Sequence, residues 1–431
     1  MPEFFNVLPP DDARALLFAH LTAVLPSEKI QTEAVLGRVT GTAVLAPHAL
    51  PQFRRSTMDG YAVRAADTFG ASESLPAFLR VVGEVPMGKA ADVQFSTGEA
   101  VIVHTGGMVP EAADAVVQIE HTQMISTTIA TQRRGGAEGE VLQANLPFEI
   151  EVFRSVAVGQ NVLQVGEDVA EQAEILPAGH LLRPQDLGGL LALGLTEVAV
   201  TRQPRIGILA TGDEVISPNE IAGPGEIRDI NSYTVAGLSR QAGGIPVYGG
   251  IIADDFAALK TAASELLAQT DMLVMSAGSS VSVRDMTVQV IEELGEPGVL
   301  LHGVATRPGK PTIVGVVNRK PVLGLPGNPV SAMVQFDMFG VPAIYRLQGM
   351  QTTPKRGLVW AKLSQNIASE TGREDYVPAK LVDEEGGGIT AVPVFGKSNL
   401  IYTLVNADGL IKIPLNKGGV VAGDWVEVRL F

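Results

Sequence analysis

Three glycine-bearing segments carry the residue types from which an anion site is built. They are Thr211-Gly212-Asp213-Glu214, the run Ser276-Ala277-Gly278-Ser279-Ser280-Val281-Ser282, and Gly324-Leu325-Pro326-Gly327-Asn328-Pro329-Val330-Ser331. Each sits at the end of an apolar run that reads as a strand, and in open parallel sheets ligands bind beyond the carboxyl ends of the strands. A loop of small residues leading into a helix lets backbone N–H groups close on an anion, with the helix N-terminus behind them. Ser276, Ser279, Ser280 and Ser282 add hydroxyl donors. A helix dipole supplies only about 0.3–1 kcal/mol at an exposed site, so formal charge has to come from side chains. Arg307 and Lys310, in Arg307-Pro-Gly-Lys310-Pro311, are the local candidates. Glu214, Asp229 and Asp285 lie near the same edge. Beside a phosphate loop such carboxylates suit Mg²⁺, a hard cation that takes oxygen donors and bridges phosphates. The plainer alternatives are tight strand–helix turns, a helix N-cap for Asp285 and a solvated turn residue for Asp213. Three such loops at one edge, with a basic turn beside them, favour the ligand site.

The N-terminal half offers a second set. Arg54-Arg55-Ser56-Thr57-Met58-Asp59-Gly60-Tyr61-Ala62-Val63-Arg64 combines loop composition with the turn dipeptide Asp59-Gly60. On its own it reads as a turn between strands in which Asp59 satisfies backbone N–H groups. Thr105-Gly106-Gly107 is similarly open. His104 and His302 lie near apolar strands and read as structural imidazoles.

The elements that must position these residues follow from periodicity. From Arg205 to about Leu347, apolar runs alternate with helical patterns, which means βαβ units and a mostly parallel sheet. Strands are expected at Arg205–Ala210, Val247–Ile252 and Met272–Met275. Helices are expected over Asn231–Ala242, from Asp254 or Asp255 to Leu267, and from Asp285 to Leu294, with Asn328 capping a last one. Thr312–Val317 and Pro321–Leu325 read as a hairpin added to the sheet. Upstream, a first helix starts at Asp11 or Asp12, carries the stripe Leu17, Leu21, Leu25 and ends at Pro26. Short β-branched runs follow, at Leu79–Val85, Glu99–His104, Ala115–Ile119, Met124–Gln132, Phe148–Ala157 and Glu174–Leu182. Arg133–Glu140 reads as an exposed hairpin tip or loop. Past Thr353-Pro354 the helical period disappears, and five short strands predict a small β-barrel-like domain. The expected layout is an interleaved domain over 27–48 and 149–181, a β-rich insert over 49–148, an α/β domain from 1–26 and 182–349, and the C-terminal β-domain over 350–431. The fold class is thus multidomain α/β plus β, with a three-layer α/β domain.

Composition sets the limits. The chain has 431 residues, which at about 150 per domain means two to four domains. Hydrophobic residues make up 46% and charged residues 18%, an ordinary globular ratio. With 32 basic and 47 acidic side chains the formal charge is −15, which argues against a general nucleic-acid partner. There is no Cys, so disulfide scaffolds, thiolate zinc sites and Cys nucleophiles drop out. No membrane span or signal peptide is expected, and a cytoplasmic location fits a chain without Cys.

Seven motifs in one order resemble the molybdopterin molybdenumtransferase family, of the MoeA and gephyrin E-domain type. They are Ser56-Thr-Met-Asp-Gly-Tyr-Ala-Val-Arg64, Gly83-Glu-Val-Pro86, Thr105-Gly-Gly-Met-Val-Pro110 with Ala113-Asp-Ala-Val-Val117, Val165-Gly-Glu-Asp168, Thr211-Gly-Asp-Glu214, Pro308-Gly-Lys-Pro311 and Gly324-Leu-Pro-Gly-Asn-Pro-Val-Ser331. The resemblance implies an elongated homodimer of four-domain subunits. Its α/β domain, of the molybdopterin-binding type, is similar to the separate molybdopterin adenylyltransferase, which is a possible partner. It implies that molybdate is inserted into adenylylated molybdopterin with release of AMP, in molybdenum cofactor biosynthesis, with Mg²⁺ or a similar cation. The dithiolene sulfurs belong to that substrate, so no Cys is needed.

Carried over residue by residue, the resemblance implies catalytic roles for Asp59, Thr105, Glu214, Asp285 and Lys310, and metal binding by Glu214 and Asp285. Substrate contacts fall to Thr211, Gly212, Asp229, Ser276, Gly278, Ser279, Ser280, Arg307, Pro326, Gly327, Asn328 and Ser331. Two positions depart from the family pattern. The common Ser-Gly-Gly-Val-Ser-Val-Gly loop is here Ser276-Ala-Gly-Ser-Ser-Val-Ser282, followed by Val283-Arg284, and the basic residue before Pro-Gly-Lys-Pro, usually Lys, is Arg307. The alternatives are a scaffold that kept the fold and lost the chemistry, a tungstate-preferring enzyme and an adenylyltransferase. Retention of Asp59, Glu214, Asp285 and Lys310 favours the transferase over the scaffold. The N-terminal motifs favour it over an adenylyltransferase, which needs only the α/β domain.

Overall fold

The computed structural model describes residues 7–125, 146–277 and 281–431. The Arg133–Glu140 loop and most of the Met124–Gln132 run lie outside them. The chain divides into two compact units, one of residues 43–176 with 192–194 and the other of 1–42, 177–191 and 195–431.

The first helix, α1, is Pro10–His20, with Pro9 rather than an aspartate as its N-cap. Pro10 starts the helix at the one position where a missing N–H is harmless. Asp11 and Asp12 fall in the first turn, where their charge suits the helix dipole. Leu21 lies just past the helix end but is buried all the same.

The smaller unit holds a six-stranded sheet. Its strands are β1 (Gly60–Val63), β2 (Ala77–Glu84), β3 (Glu99–Val103), β4 (Ala115–Gln118), β5 (Thr122–Ile125) and β6 (Phe148–Val152), in the order β4-β1-β3-β2-β6-β5. Only β2 and β3 run parallel. Alternation along the strands puts Tyr61, Val63, Leu79, Val117 and Ile150 into one core and Ala62, Val101, Val103 and Val116 into another. The segment expected to be a loop around Asp59-Gly60 therefore ends in a fully buried strand, β1.

Helix α2 (Pro184–Ala192) leads through β7 (Glu197–Thr201) to the α/β sheet of the larger unit. That sheet is built from β8 (Arg205–Thr211), β9 (Ile245–Ile252), β10 (Met272–Ala277), β11 (Pro297–His302), β12 (Ile313–Val317) and β13 (Lys320–Pro326), in the order β9-β8-β10-β13-β12-β11. The first four are parallel; β12 and β11 extend the sheet antiparallel. Helices α3 (Asn231–Gln241) and α4 (Phe256–Gln269) connect β8 to β9 and β9 to β10, and α5 (Val281–Leu294) leads from β10 to β11. The inner faces fill two cores. One joins Ile206, Ile208, Val274 and Leu323 to α1, α3 and the last helices; the other joins Leu209, Leu273 and Met275 to α4 and α5. Three layers result, as expected. Asp255 caps α4 by accepting from the Ala258 N–H at 2.8 Å. Asp285 does not open its helix: α5 begins four residues earlier, because no breaker stands between Val281 and Asp285.

The last helical stretch runs through α6 (Pro329–Gln335), a π-turn at Phe336–Gly340 and α7 (Val341–Leu347). Beyond it, β14 (Leu358–Leu363), β15 (Glu374–Asp383), β16 (Ile389–Pro393), β17 (Gly409–Ile413) and β18 (Trp425–Leu430) close into a five-stranded barrel. Its core holds Ala361, Leu363, Ala379, Ile411 and Val428. Closure removes the exposed edges that a short sheet would leave.

One ion pair staples the start of the α/β sheet. Arg202 donates from both terminal nitrogens to Asp271, at 2.9 and 2.8 Å, and the Arg205 N–H adds a third bond at 2.7 Å. Burial alone would raise the Asp271 carboxyl. The bonds from Arg202 and Arg205 outweigh it and hold the group below its ordinary value. A depressed carboxyl contributes stability above its unfolded pKa, near 3.9, and loses it as pH falls further. Asp271→Asn is therefore expected to lower stability at pH 7 by about 1–3 kcal/mol. The gap to wild type should shrink below roughly pH 4. Thermal unfolding at pH 7 and pH 3 checks this, and a gap independent of pH would dismiss the charge as its source.

Candidate functional site

The strands that lead into the three loops end side by side. Ala210, Ser276 and Leu325 form one row across β8, β10 and β13, so Thr211–Glu214, Ser276 onward and Pro326–Ser331 all leave the carboxyl edge of adjacent strands. The chain turns from β8 outward to β9 and then back to β10. The crevice beyond β8 and β10 is thus a topological switch point, where α/β sheets bind ligands. Gly278, Ser279 and Ser280 lie outside the described residues.

The first loop is held by its neighbour. Thr211 is buried and its hydroxyl donates to Asp254 at 2.9 Å, while the Asp254 N–H donates to Asp213 at 3.1 Å. Glu214 folds back over Gly212, where a Cβ would stand 2.8 Å from Glu214 Oε2. With φ at +147°, that position is one only glycine fills without strain. Glu214 is half-buried, as is Asp285 on α5. Neither carboxylate hydrogen-bonds or ion-pairs with a described residue.

The next contacts tie the loops together. Asp229 is buried and accepts from the Ser232 N–H at 3.0 Å, fixing the first turn of α3. Asn231, also buried, donates both amide hydrogens, one to Ser276 Oγ and one to the Gly327 carbonyl, each at 2.8 Å. One side chain thus pins the second loop to the third. In that third loop, Asn328 donates to Ser398 Oγ at 3.0 Å, and Pro326 and Ser331 are buried. Asn328 stands at the N-cap of α6 but caps no N–H with its side chain.

The basic turn lies against the barrel. Thr306–Arg307 pairs with Glu374–Asp375 of β15. The Arg307 guanidinium is 64% exposed and stands 3.7 Å from Asp375. An ion pair so open is worth at most about 1 kcal/mol, so the guanidinium stays available to a ligand. Lys310 is exposed and ion-pairs with no described acid.

In the smaller unit the structure brings Asp59 and Thr105 together. Asp59 Oδ1 accepts from the Thr105 N–H at 2.8 Å, and its carboxylate is 64% exposed. The Gly106 N–H donates to the Ser56 carbonyl and the Ser56 N–H to the Gly107 carbonyl, at 2.8 and 2.9 Å. Arg54 braces the loop after Gly107 through the carbonyls of Pro110, Glu111 and Ala113. Two motifs separated in sequence are therefore one substructure. His104 is half-buried, and its Nε2 hydrogen-bonds Glu84 at 2.9 Å.

Two site residues escape sequence reasoning. Asp254 reads as one of two possible helix caps, and Asn231 as a helix start. The available signal for Asp254 is its place just past a strand, on the ligand edge. For Asn231 there is none beyond its being a carboxamide where a helix leaves that edge.

Fold and site together define a multidomain protein whose three-layer α/β part carries an oxyanion- and phosphate-suited edge, with a closed barrel behind its basic turn. Three family models match in chain order: the MoeA N-terminal region, domains I and II, over residues 8–194; a molybdopterin-binding domain over 207–346; and the MoeA C-terminal region, domain IV, over 360–431. The molybdopterin molybdenumtransferase of Bacillus subtilis is 31% identical over 422 residues, 98% of this chain and 94% of that one. A Methanocaldococcus jannaschii protein named for molybdopterin biosynthesis is 34% identical over 99% of this chain and 98% of that one. A solved MoeA structure from Pyrococcus horikoshii OT3 superposes with a TM-score of 0.79 at 30% identity, over 99% of this chain and all of that one. The chain belongs to the MoeA family.

Proposed function

We propose that this protein inserts molybdate into adenylylated molybdopterin and releases AMP, with Mg²⁺ as the cation and a homodimer of four-domain subunits as the working unit. Family membership makes it a molybdopterin molybdenumtransferase, an enzyme of molybdenum cofactor biosynthesis. The observation that carries the fuller reading is the row of three strand ends at the switch point, with two carboxylates and a lysine that have no partner among the described residues. An adenylylated pterin phosphate is a polyanion, and molybdate is a small oxyanion. Both need backbone donors and cations in one place.

The division of labour follows from what each group can do. The N–H groups of Gly327, Asn328 and Ser331, with those of the loop that follows Ser276, bind phosphate and molybdate oxygens; Pro329 has none, and the Val330 N–H is spent on the Ser398 carbonyl. Asn231 keeps those two loops in register. Arg307 and Lys310 neutralise phosphate charge, Lys310 as a point charge on a flexible stem. Glu214 and Asp285 are free to hold Mg²⁺. No group of three His, Asp or Glu among the described residues converges on one point. That donor set suits a cation bound by one or two carboxylates and completed by substrate phosphates. When bound, the ion offsets charge that develops as the phosphoanhydride breaks. Thr211 and Asp254 set the loop from which Glu214 projects. Asp59 and Thr105 act on the same reaction from their own motif pair.

Two observations bear on the rival readings. A scaffold has no use for carboxylates left without partners, and a free adenylyltransferase has none for the bonded Asp59–Thr105 substructure. Among the described residues no helix is long and apolar enough to cross a membrane, and we place the protein in the cytoplasm. The deciding experiment incubates purified protein with adenylylated molybdopterin, Mg²⁺ and either molybdate or tungstate. AMP release that depends on oxyanion and on Mg²⁺ is expected. AMP release indifferent to the oxyanion would make the protein a hydrolase instead.

A further inference from the structure

The turn that carries Lys310 is seated on one buried side chain and closed by another. Gln335, in the last turn of α6, is 0% exposed. Its Nε2 donates to Thr306 Oγ1 at 3.0 Å and to the Pro308 carbonyl at 2.9 Å. Gly309 lies directly on the same side chain: a Cβ there would stand 2.3 Å from Gln335 Cγ. Its φ of +104° is a second reason for glycine. From the other side, Thr312 Oγ1 donates to the Gly309 carbonyl at 2.6 Å. The Lys310 carbonyl accepts from the Val304 N–H at 2.9 Å.

Gln335 holds this turn at a standing disadvantage, because its Oε1 is buried with no hydrogen-bond partner among the described residues. An orphaned buried acceptor destabilises a fold. A methionine of about the same volume would fill the space without that penalty. What methionine cannot do is donate two hydrogen bonds to the backbone and hydroxyl of the 306–308 strand and turn. Gln335 also sits on the helix that begins at the Gly327–Ser331 loop. One rigid element therefore carries the anion loop at its start and the seat of the lysine turn at its end.

We propose that Gln335 is a positioning residue for Lys310. Its carboxamide fixes the Arg307–Lys310 turn in the frame of α6, so that the ammonium group meets phosphate held by the Gly327–Ser331 loop. The inference rests on reading Lys310 as the phosphate-binding cation, and its test separates the two.

Gln335→Met removes both donors and keeps the volume. Its kcat/KM for AMP release is expected to fall about tenfold or more, with Lys310→Ala falling further. In the double variant the loss should stay within about twofold of Lys310→Ala alone, since residues acting through one group are not additive. Multiplying losses, or wild-type activity of Gln335→Met, would overturn the proposal. A second readout needs no activity. Amide exchange at Val304 and Thr312, whose N–H groups close the turn, should speed up by about tenfold or more in Gln335→Met. Unchanged exchange overturns the role of Gln335 even if the protein is no transferase. Absence of AMP release from wild type overturns only the transferase reading. Should Gln335→Met not fold, Thr306→Val removes an acceptor of the same donor and is read by the same two measurements.

Discussion

Glu214→Ala and Asp285→Ala are each expected to lower the turnover number for AMP release by about a hundredfold or more. Holding a cation against phosphates is worth several kcal/mol in the transition state, at 1.36 kcal/mol per tenfold. Both carboxylates lack a partner among the described residues, so truncation breaks no bond that holds the fold. Stability should stay within about 0.5 kcal/mol of wild type. That pairing of large and small effects is the signature sought, because a structural acid would show the reverse. The measurements are AMP release at saturating substrate over a range of Mg²⁺ concentrations, and thermal unfolding of the same preparations. A higher Mg²⁺ requirement should accompany the loss. An unaltered turnover number in either variant removes that residue from the site.

The second large effect is expected at Asp59. Its carboxylate accepts from the Thr105 N–H at 2.8 Å, and an asparagine oxygen can accept the same bond. Asp59→Asn should therefore leave the Ser56–Gly107 substructure and the melting temperature nearly unchanged. Metal insertion should nonetheless drop by about tenfold to a hundredfold, because only the charge has gone. Asp59→Ala loses both the charge and the bond, and should add a stability loss of about 0.5–1.5 kcal/mol. If Asp59→Asn turns over like wild type while Asp59→Ala is merely less stable, Asp59 is a turn residue and nothing more.

The sequence is legible wherever a local rule suffices. The alternation of apolar runs with 3.6-residue stripes between Arg205 and Leu347 specifies a parallel sheet covered by helices. That in turn puts Thr211, Ser276 and Pro326 at one edge. Asp255 caps its helix as its type and place predict. The five C-terminal strands fall where period two and turn residues put them. Each of these depends on neighbours a few positions away, where chain entropy is small and propensity speaks clearly.

Local cues mislead in particular places. Asp59-Gly60 is a turn dipeptide, yet Gly60 already begins a central strand, because Gly60–Ala62 is paired on both sides. The helix Pro184–Ala192 is hidden by Gly188 and Gly189, each of which lowers helix propensity by about 1 kcal/mol. The edge strand Pro297–His302 starts with Pro and Gly, which obscure any strand pattern; its antiparallel pairing with Ile313–Val317 makes it a strand.

The bonds that turn loops into a site lie beyond local reading altogether. Asn231 reaches Gly327 across 96 positions, Thr105 reaches Asp59 across 46, and Gln335 reaches Thr306 across 29. Their partners are chosen by how sheet order and helix packing fold the chain back on itself. A carboxamide has the same composition and spacing whether it faces water or a carbonyl. The residue types needed to bind an oxyanion and a phosphate are therefore written along the chain, while their convergence arises from packing, since a hydrogen bond works only over about 3 Å and in the right direction.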